Sequence, residues 1–171
     1  GSLKSKGLIM KIRNFKKSDF NSVKSIYQQG IDTGNATFQK KAKGWNEWNS
    51  SFLINCRIVA ELNNEVVGWA ALSAASNRTV YNGVAEVSIY IAKNYANYGI
   101  GNSLLSELIS TSENEGIWTL QAGIFPENES SIAIHSKNGF KTIGVREKLG
   151  KMNGTWRDIL FMERRSKVIG I

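Results

Sequence analysis

Residues 86–91, Glu86-Val87-Ser88-Ile89-Tyr90-Ile91, are followed by Tyr98-Gly99-Ile100-Gly101-Asn102, then by Leu104-Leu105 and Leu108-Ile109. Side chains along a strand point alternately to opposite faces, so Ala85, Val87, Ile89 and Ile91 share one side, and Glu86, Ser88 and Tyr90 the other. Residues 84–92 are therefore expected to form a strand. The leucines that follow recur at helical spacing, and a helix is expected over 102–115, closed by Gly116 in the C′ position. Between them lies a turn with two glycines. Successive backbone N–H groups there, with the positive end of the helix dipole, suit phosphate oxygens. The G-x-G pair alone says little, because it lacks both the third glycine of a dinucleotide fingerprint and the lysine of a P-loop.

Residues 10–14 alternate as a short strand, and Ser18-Asp19 is expected to cap a helix through Gln29, with Phe20, Val23, Ile26 and Tyr27 on one face. Residues 30–43 read as a long loop or broken helix, and 45–53 as a second short helix. Strands are expected at 57–62 and 66–72, joined at Asn63-Asn64. After the central unit come a strand at 119–125, a helix capped by Asn128 or Ser130 and ending at Gly139, and two strands at 142–149 and 157–163 around a turn at 151–154. The order β-α-α-β-β-β-α-β-α-β-β implies one mixed, mostly antiparallel α/β sheet with helices on both faces.

The chain has 171 residues, enough for one domain with a core of its own. That domain is expected to span 10–171, with 1–9 a leftover expression tag. A single cysteine, Cys56, excludes an intrachain disulfide and a cysteine-based zinc site, and a single histidine, His135, excludes a His-rich metal site. No metal is expected. No apolar run approaches the ~18 residues of a membrane span. With no secretory leader pattern in residues 1–9, the protein is expected to be cytoplasmic. The net charge is +8, its surplus concentrated at the two ends: nine basic against three acidic residues over 137–171, and seven against one over 1–24. Such a surface is either a solvated basic face or an attractor of nucleic acid, acidic lipid or a phosphorylated cofactor. No run of five Lys/Arg occurs, and no aromatic-basic recognition motif marks a nucleic-acid domain.

Several separate stretches, in order, carry a resemblance to a known family. They are Ile26-Tyr27, Gly34-Asn35-Ala36-Thr37-Phe38, the 86–91 strand with its glycine turn, Ile124-Phe125-Pro126-Glu127-Asn128, Gly139-Phe140, Arg146-Glu147-Lys148-Leu149-Gly150 and Gly154-Thr155-Trp156-Arg157-Asp158. Over residues 11–166 the chain resembles the GNAT superfamily of N-acetyltransferases, and within it the phosphinothricin N-acetyltransferase branch. The resemblance implies acetyl-CoA as donor, a small amino-acid-like acceptor such as phosphinothricin or methionine sulfoximine, and a homodimer. The cofactor would lie along Ile89, Tyr90 and Ile91, on the turn formed by Asn97, Tyr98, Gly99, Ile100, Gly101 and Asn102, and against Asn128 and Lys137. The chain departs from the family at Ala96, where Gln or Arg is usual, and at Asn97, where Gly often stands. A side chain that reaches the pyrophosphate is missing there, which leaves the backbone amides of 98–102.

Glu86 by pattern is either a surface carboxylate or a base in a cleft. The resemblance implies the latter, since an amine attacks a thioester only when neutral. His135 stands where most of the superfamily carries the Tyr that protonates the departing thiolate, and where the phosphinothricin branch carries His. Imidazole can donate to sulfur or accept from the amine. Phe38, Arg78, Tyr81, Glu86, Val87 and Ser88 are implied for the acceptor, with the Arg78 guanidinium as a fork for an anionic head group. The five tryptophans read as core or interface. Two further readings stay open: an acyl-CoA-binding module without turnover, and an acetyltransferase for a different amine.

Overall fold

Seven strands form a single sheet in the order β1-β2-β3-β4-β5-β7-β6. They are β1 (Met10–Asn14), β2 (Ile58–Leu62), β3 (Glu65–Ala74), β4 (Val84–Ile91), β5 (Thr119–Ile124), β6 (Lys141–Met152) and β7 (Thr155–Arg165). The helices are α1 (Phe20–Asp32), α2 (Trp45–Ser51), α3 (Ile100–Asn114) and α4 (Glu129–Lys137), so the element order is the one read from the sequence. This computed structural model describes residues 7–171; the first six residues of the expected tag lie outside the described part. Among the described residues no helix is long and apolar enough to cross a membrane.

The two faces of the sheet carry different cores. On one, Phe20, Val23, Ile26 and Tyr27 of α1 pack with Trp48 of α2 and with Val59 and Trp69 of the sheet. On the other, Leu104, Leu105 and Leu108 of α3 pack on Ile58, Leu62, Leu72 and Ala85, with Val87, Ile89 and Ile91 against them. Full burial of each such leucine contributes roughly 1.5–3 kcal/mol. The alternation expected in β4 is thus realised: its aliphatic set faces α3 and its polar set faces the α1 side. The pairing of β2 with β3 shifts between Ala60 and Glu61, where Val67 is the extra residue. Beyond it, Trp69 and Ala71 turn to the α1 side and Ala70 and Leu72 to the α3 side.

All the ladders are antiparallel except β4–β5, which is parallel and short. Only Val84, Ala85 and Glu86 pair with Thr119, Leu120 and Gln121. Past Glu86, β4 stays with β3 as far as Ile91, and β5 stays with β7 as far as Ile124. The edge of β4 from Val87 to Ile91 is therefore left without a strand partner. Its peptide groups on that side need another hydrogen-bonding partner.

Two expectations are corrected. Asp19 does not cap α1 with its side chain; its carboxylate accepts from Arg13, at 2.9 Å for each oxygen, and from the Lys16 amide. A cation so close outcompetes the helix amides. The helix after the glycine turn starts at Ile100, two residues early, because Gly99 with φ of 80° already sets the chain direction. Of the two alternatives expected for the tryptophans, core or interface, Trp156 is not in the core: it is exposed, as are Ile143 and Val145 on neighbouring β6. The Asn63-Asn64 turn has positive φ at both residues, as a two-residue hairpin of this hand requires, and Gly116 takes the left-handed position after α3.

Candidate active site

The gap between β4 and β5 is a cleft of about 470 Å3. That is the size of a small-molecule pocket. Glu86 and Ser88 enter it from the α1 side of the sheet, and His135 from α4, which packs against α3 on the other side. Residues from opposite faces can meet here only because the ladder between them stops.

Glu86 is half-buried, and that burial pushes its carboxyl above the ordinary carboxylate range. Space beside it depends on Gly123: a Cβ there would lie 3.8 Å from Glu86 Oε1 and 3.2 Å from Ile159 Cγ2. His135 is 2% exposed. Its Nδ1 lies 2.7 Å from the Ser131 carbonyl oxygen. A carbonyl only accepts, so the proton is on Nδ1, and Nε2 carries a lone pair. That Nε2 is buried without a hydrogen-bond partner. Desolvation lowers the pKa of the ring, which keeps it neutral. The resting imidazole is thus an acceptor, which favours one of the two roles the sequence left open.

The 34–38 loop closes the cleft on the α1 side. Arg157 donates from Nη1 to the Gly34 carbonyl at 2.9 Å and from Nη2 to Asn35 Oδ1 at 2.8 Å, pairs with Glu127, and stacks 4.1 Å from the centre of the Phe125 ring. Asn128 caps α4 through Oδ1, accepting from Ser131 N, while its Nδ2 donates to the Asn35 carbonyl. Both ends of that side chain are committed here, so the cap expected from sequence is present and its amide is bound to the loop. Thr37 bonds the Tyr90 hydroxyl, and Phe38 lies edge-on to Phe125 at 5.0 Å.

The glycine turn lies at the start of α3. Asn97 has φ of 68° and Gly99 of 80°. An L side chain is strained there, and Asn is among the few that tolerate it. Space around a Cβ at Gly99 is open. At Gly101 it would meet Ile134 Cδ1 at 3.2 Å, so that glycine serves α3–α4 packing. Asn102 Oδ1 accepts from Asn138 of α4. The exposed amides of this turn and the free edge of β4 fit a ligand with a phosphate end and an amide-bearing arm.

Of the residues singled out from sequence, Phe38, Glu86, Val87, Ser88, Ile89, Tyr90, Asn128 and His135 line the cleft. Asn97, Tyr98, Gly99, Ile100, Gly101 and Asn102 form the turn beyond it, next to Ile91. Tyr90 is largely a core residue: it stacks on Tyr27 at 4.8 Å beneath Gly30, so its main chain rather than its ring faces a ligand. Lys137 is exposed in the last turn of α4 and does not line the cleft. Nor do Arg78 and Tyr81: both are exposed, with the Arg78 guanidinium 5.4 Å from the Tyr81 ring. Sequence reasoning missed Gln121, Gly123 and Arg146 of the lining, and the clamp at Arg157. Arg146 and Arg157 lay in stretches quoted for the resemblance, but nothing in their spacing marks either as facing the cleft. Another depression, of about 430 Å3 on the outer side of α1 around Lys24, Gln28 and Asp32, holds no comparable set of groups. Among the described residues, no three His, Cys, Asp or Glu side chains gather as a metal site needs.

The family of acetyltransferase (GNAT) domains matches residues 12–161. The chain is 25% identical over 159 residues to a phosphinothricin N-acetyltransferase of Streptomyces viridochromogenes, covering 91% of this chain and 87% of that one. It is 23% identical over 158 residues to an L-methionine sulfoximine/L-methionine sulfone acetyltransferase of Pseudomonas aeruginosa, covering 89% and 92%. A solved GNAT superfamily phosphinothricin acetyltransferase from Sinorhizobium meliloti, in complex with acetyl-CoA, superposes with a TM-score of 0.83 at 32% identity, covering 91% of this chain and 88% of that one. The chain belongs to the GNAT family, as an acetyl-CoA-dependent N-acetyltransferase akin to the phosphinothricin and methionine sulfoximine enzymes.

Proposed function

We propose that the protein transfers the acetyl group of acetyl-CoA to the α-amine of a small amino acid of the phosphinothricin or methionine sulfoximine type. One observation carries this reading: a desolvated carboxylate, Glu86, and a partnerless imidazole nitrogen, His135 Nε2, belong to the same cleft, where β4 leaves β5.

The free edge of β4 over 87–91 offers main-chain N–H and C=O groups to the pantetheine arm. An edge amide supports the negative charge that develops on the thioester oxygen. The amides of 98–102 and the start of α3 hold the phosphates. Glu86, with its pKa raised, is a competent base near neutrality and removes the proton from the acceptor ammonium, directly or through one water. His135 takes up a proton at Nε2 while Ser131 holds its Nδ1–H. Once protonated, it can return that proton to the departing thiolate, so the imidazole relays a proton rather than starting as an acid. The loop carrying Phe38 walls the acceptor end.

The test is release of free thiol from acetyl-CoA with L-phosphinothricin, L-methionine sulfoximine and the common amino acids as acceptors. Acceptor-dependent release is expected, and Glu86→Gln should lower kcat by ~10²–10⁴ while the KM for acetyl-CoA stays near the wild-type value. Binding of acetyl-CoA with no release for any acceptor would favour the non-catalytic module instead.

A further inference from the structure

Arg146 is the one guanidinium among the residues lining the cleft. It is exposed, and its side chain makes no hydrogen bond or ion pair with any described residue. Other arginines differ: Arg13, Arg57 and Arg157 are all bound into the fold by carboxylates or carbonyls. A guanidinium left to solvent at the lining of a cleft that also holds a carboxylate is available to a ligand with negative charge of its own.

The sheet register fixes where Arg146 stands. It pairs with Ile159 of β7, and directly opposed residues of an antiparallel pair share a face. Ile159 reaches over Gly123 of β5, and the space above Gly123 adjoins Glu86 Oε1. Glu86, Gly123, Ile159 and Arg146 therefore form a diagonal row across β4, β5, β7 and β6 on one face, stepping along the strands because Glu86 is in register with Gln121 and Glu163, and Arg146 with Ile159. Three strand spacings across the sheet and four residues along it put the end Cα atoms roughly 20 Å apart. A long acidic and a long basic side chain extend inward from the two ends, and the glycine keeps the floor low between them.

The strand that carries Arg146 is bent at this place. Pairing of β6 with β7 jumps from Arg146–Ile159 to Gly150–Arg157, so the intervening residues of β6 outnumber those of β7 and arch away. Lys148, with φ of 47°, sits in the arch, and its amide is pinned to Asp158 Oδ1 at 2.8 Å. Leu149 joins the lining, and Gly150 lies against Phe38, where a Cβ would come within 2.9 Å of Cζ. Bulges of this kind re-aim side chains and gather beside active sites. The arch makes one wall with Phe38 and sets Arg146 at its rim.

We propose that Arg146 binds an anionic head group at the far end of the acceptor's side chain, so that the preferred acceptor is an amino acid ending in an oxyacid such as a phosphinate. This rests on the acetyl-transfer reading above and adds to it the chemistry of the acceptor's distal end. The span of the row suits that end rather than the α-carboxylate, which must stay beside the amine at Glu86. Arg78, expected from sequence for this task, lies outside the lining.

The experiment compares L-phosphinothricin, whose phosphinate is charged, with L-methionine sulfone, whose head is neutral. Both share the α-amine and α-carboxylate. In the wild-type protein the ratio of kcat/KM values should favour phosphinothricin, and Arg146→Gln should shrink that ratio about tenfold. Arg146→Lys should restore it only in part, for lack of the planar fork. Arg78→Gln should leave the ratio in place. An equal fall for both acceptors, an unchanged ratio, or collapse of the ratio in Arg78→Gln would overturn the proposal. Calorimetric titration of each acceptor into protein saturated with CoA separates it from the acetyl-transfer reading. Arg146-dependent preference for phosphinothricin without thiol release would uphold the anion site and sink the activity. Equal or absent binding of the two by the wild type would overturn the site.

Discussion

Glu86 and His135 are both desolvated, with opposite consequences for stability against pH. Burial raises the Glu86 pKa, so between the two pKa values the folded chain holds a proton that the unfolded chain has released; stability falls as pH rises from the unfolded value, and the cost is complete above the folded one. Glu86→Gln removes the cost. Its urea midpoint is expected to exceed the wild type at pH 7.5, with the difference fading as pH falls towards the ordinary carboxylate range. Burial lowers the His135 pKa below its usual 6.5, so the unfolded chain takes up the proton first as pH drops, and stability falls from about that pH downward. His135→Asn should flatten that part of the profile. Urea titrations across pH 4–8 check both signs, and a Glu86→Gln variant less stable than wild type at pH 7.5 would contradict the account of that carboxylate. The two groups were legible in sequence as chemistry-bearing residues. Their protonation states were not, because the Ser131 carbonyl and the surrounding burial that fix them belong to the packed fold.

At the scale of elements, β4 was readable because a period of two is visible in one strand, and Asn63-Asn64 because the turn demands residues that tolerate positive φ. The parting of β4 from β5, the extra residue at Val67 and the arch over 146–150 were not readable. Each is a relation of register between two strands, and no single strand records it. Arg146 looked like any other member of the basic C-terminal segment, and Arg157 like a match in a tail motif. Arg157 holds two carbonyl-type acceptors of the 34–38 loop while stacked on Phe125, so it positions the wall that carries Phe38 without touching the donor's path. Arg157→Ala is expected to raise the acceptor KM about tenfold or more, at ~1–3 kcal/mol of stability, with the KM for acetyl-CoA little changed. Arg157→Lys should rescue poorly, since an ammonium lacks the planar fork that reaches both acceptors from two nitrogens while stacked on Phe125. Steady-state kinetics with each substrate varied in turn reads this, and an equal rise in the acetyl-CoA KM would count against a role confined to the loop.

For the whole molecule, one interruption of the sheet does three things. It frees the peptide groups of β4, it opens a route by which residues of both faces meet, and it puts the start of α3 beyond the end of that free edge. The +8 net charge adds an attraction for a phosphate-bearing donor. On the reading proposed above, the donor's arm completes the sheet where β5 departs. Amide hydrogen exchange with and without acetyl-CoA reads this. The amides of 87–91 that have no partner on β3 should exchange fast alone and at least about tenfold slower with acetyl-CoA bound, while those of Val84 to Glu86, already paired on both sides, change little. Acetyl-CoA that binds by calorimetry yet leaves the 87–91 amides unprotected would contradict it.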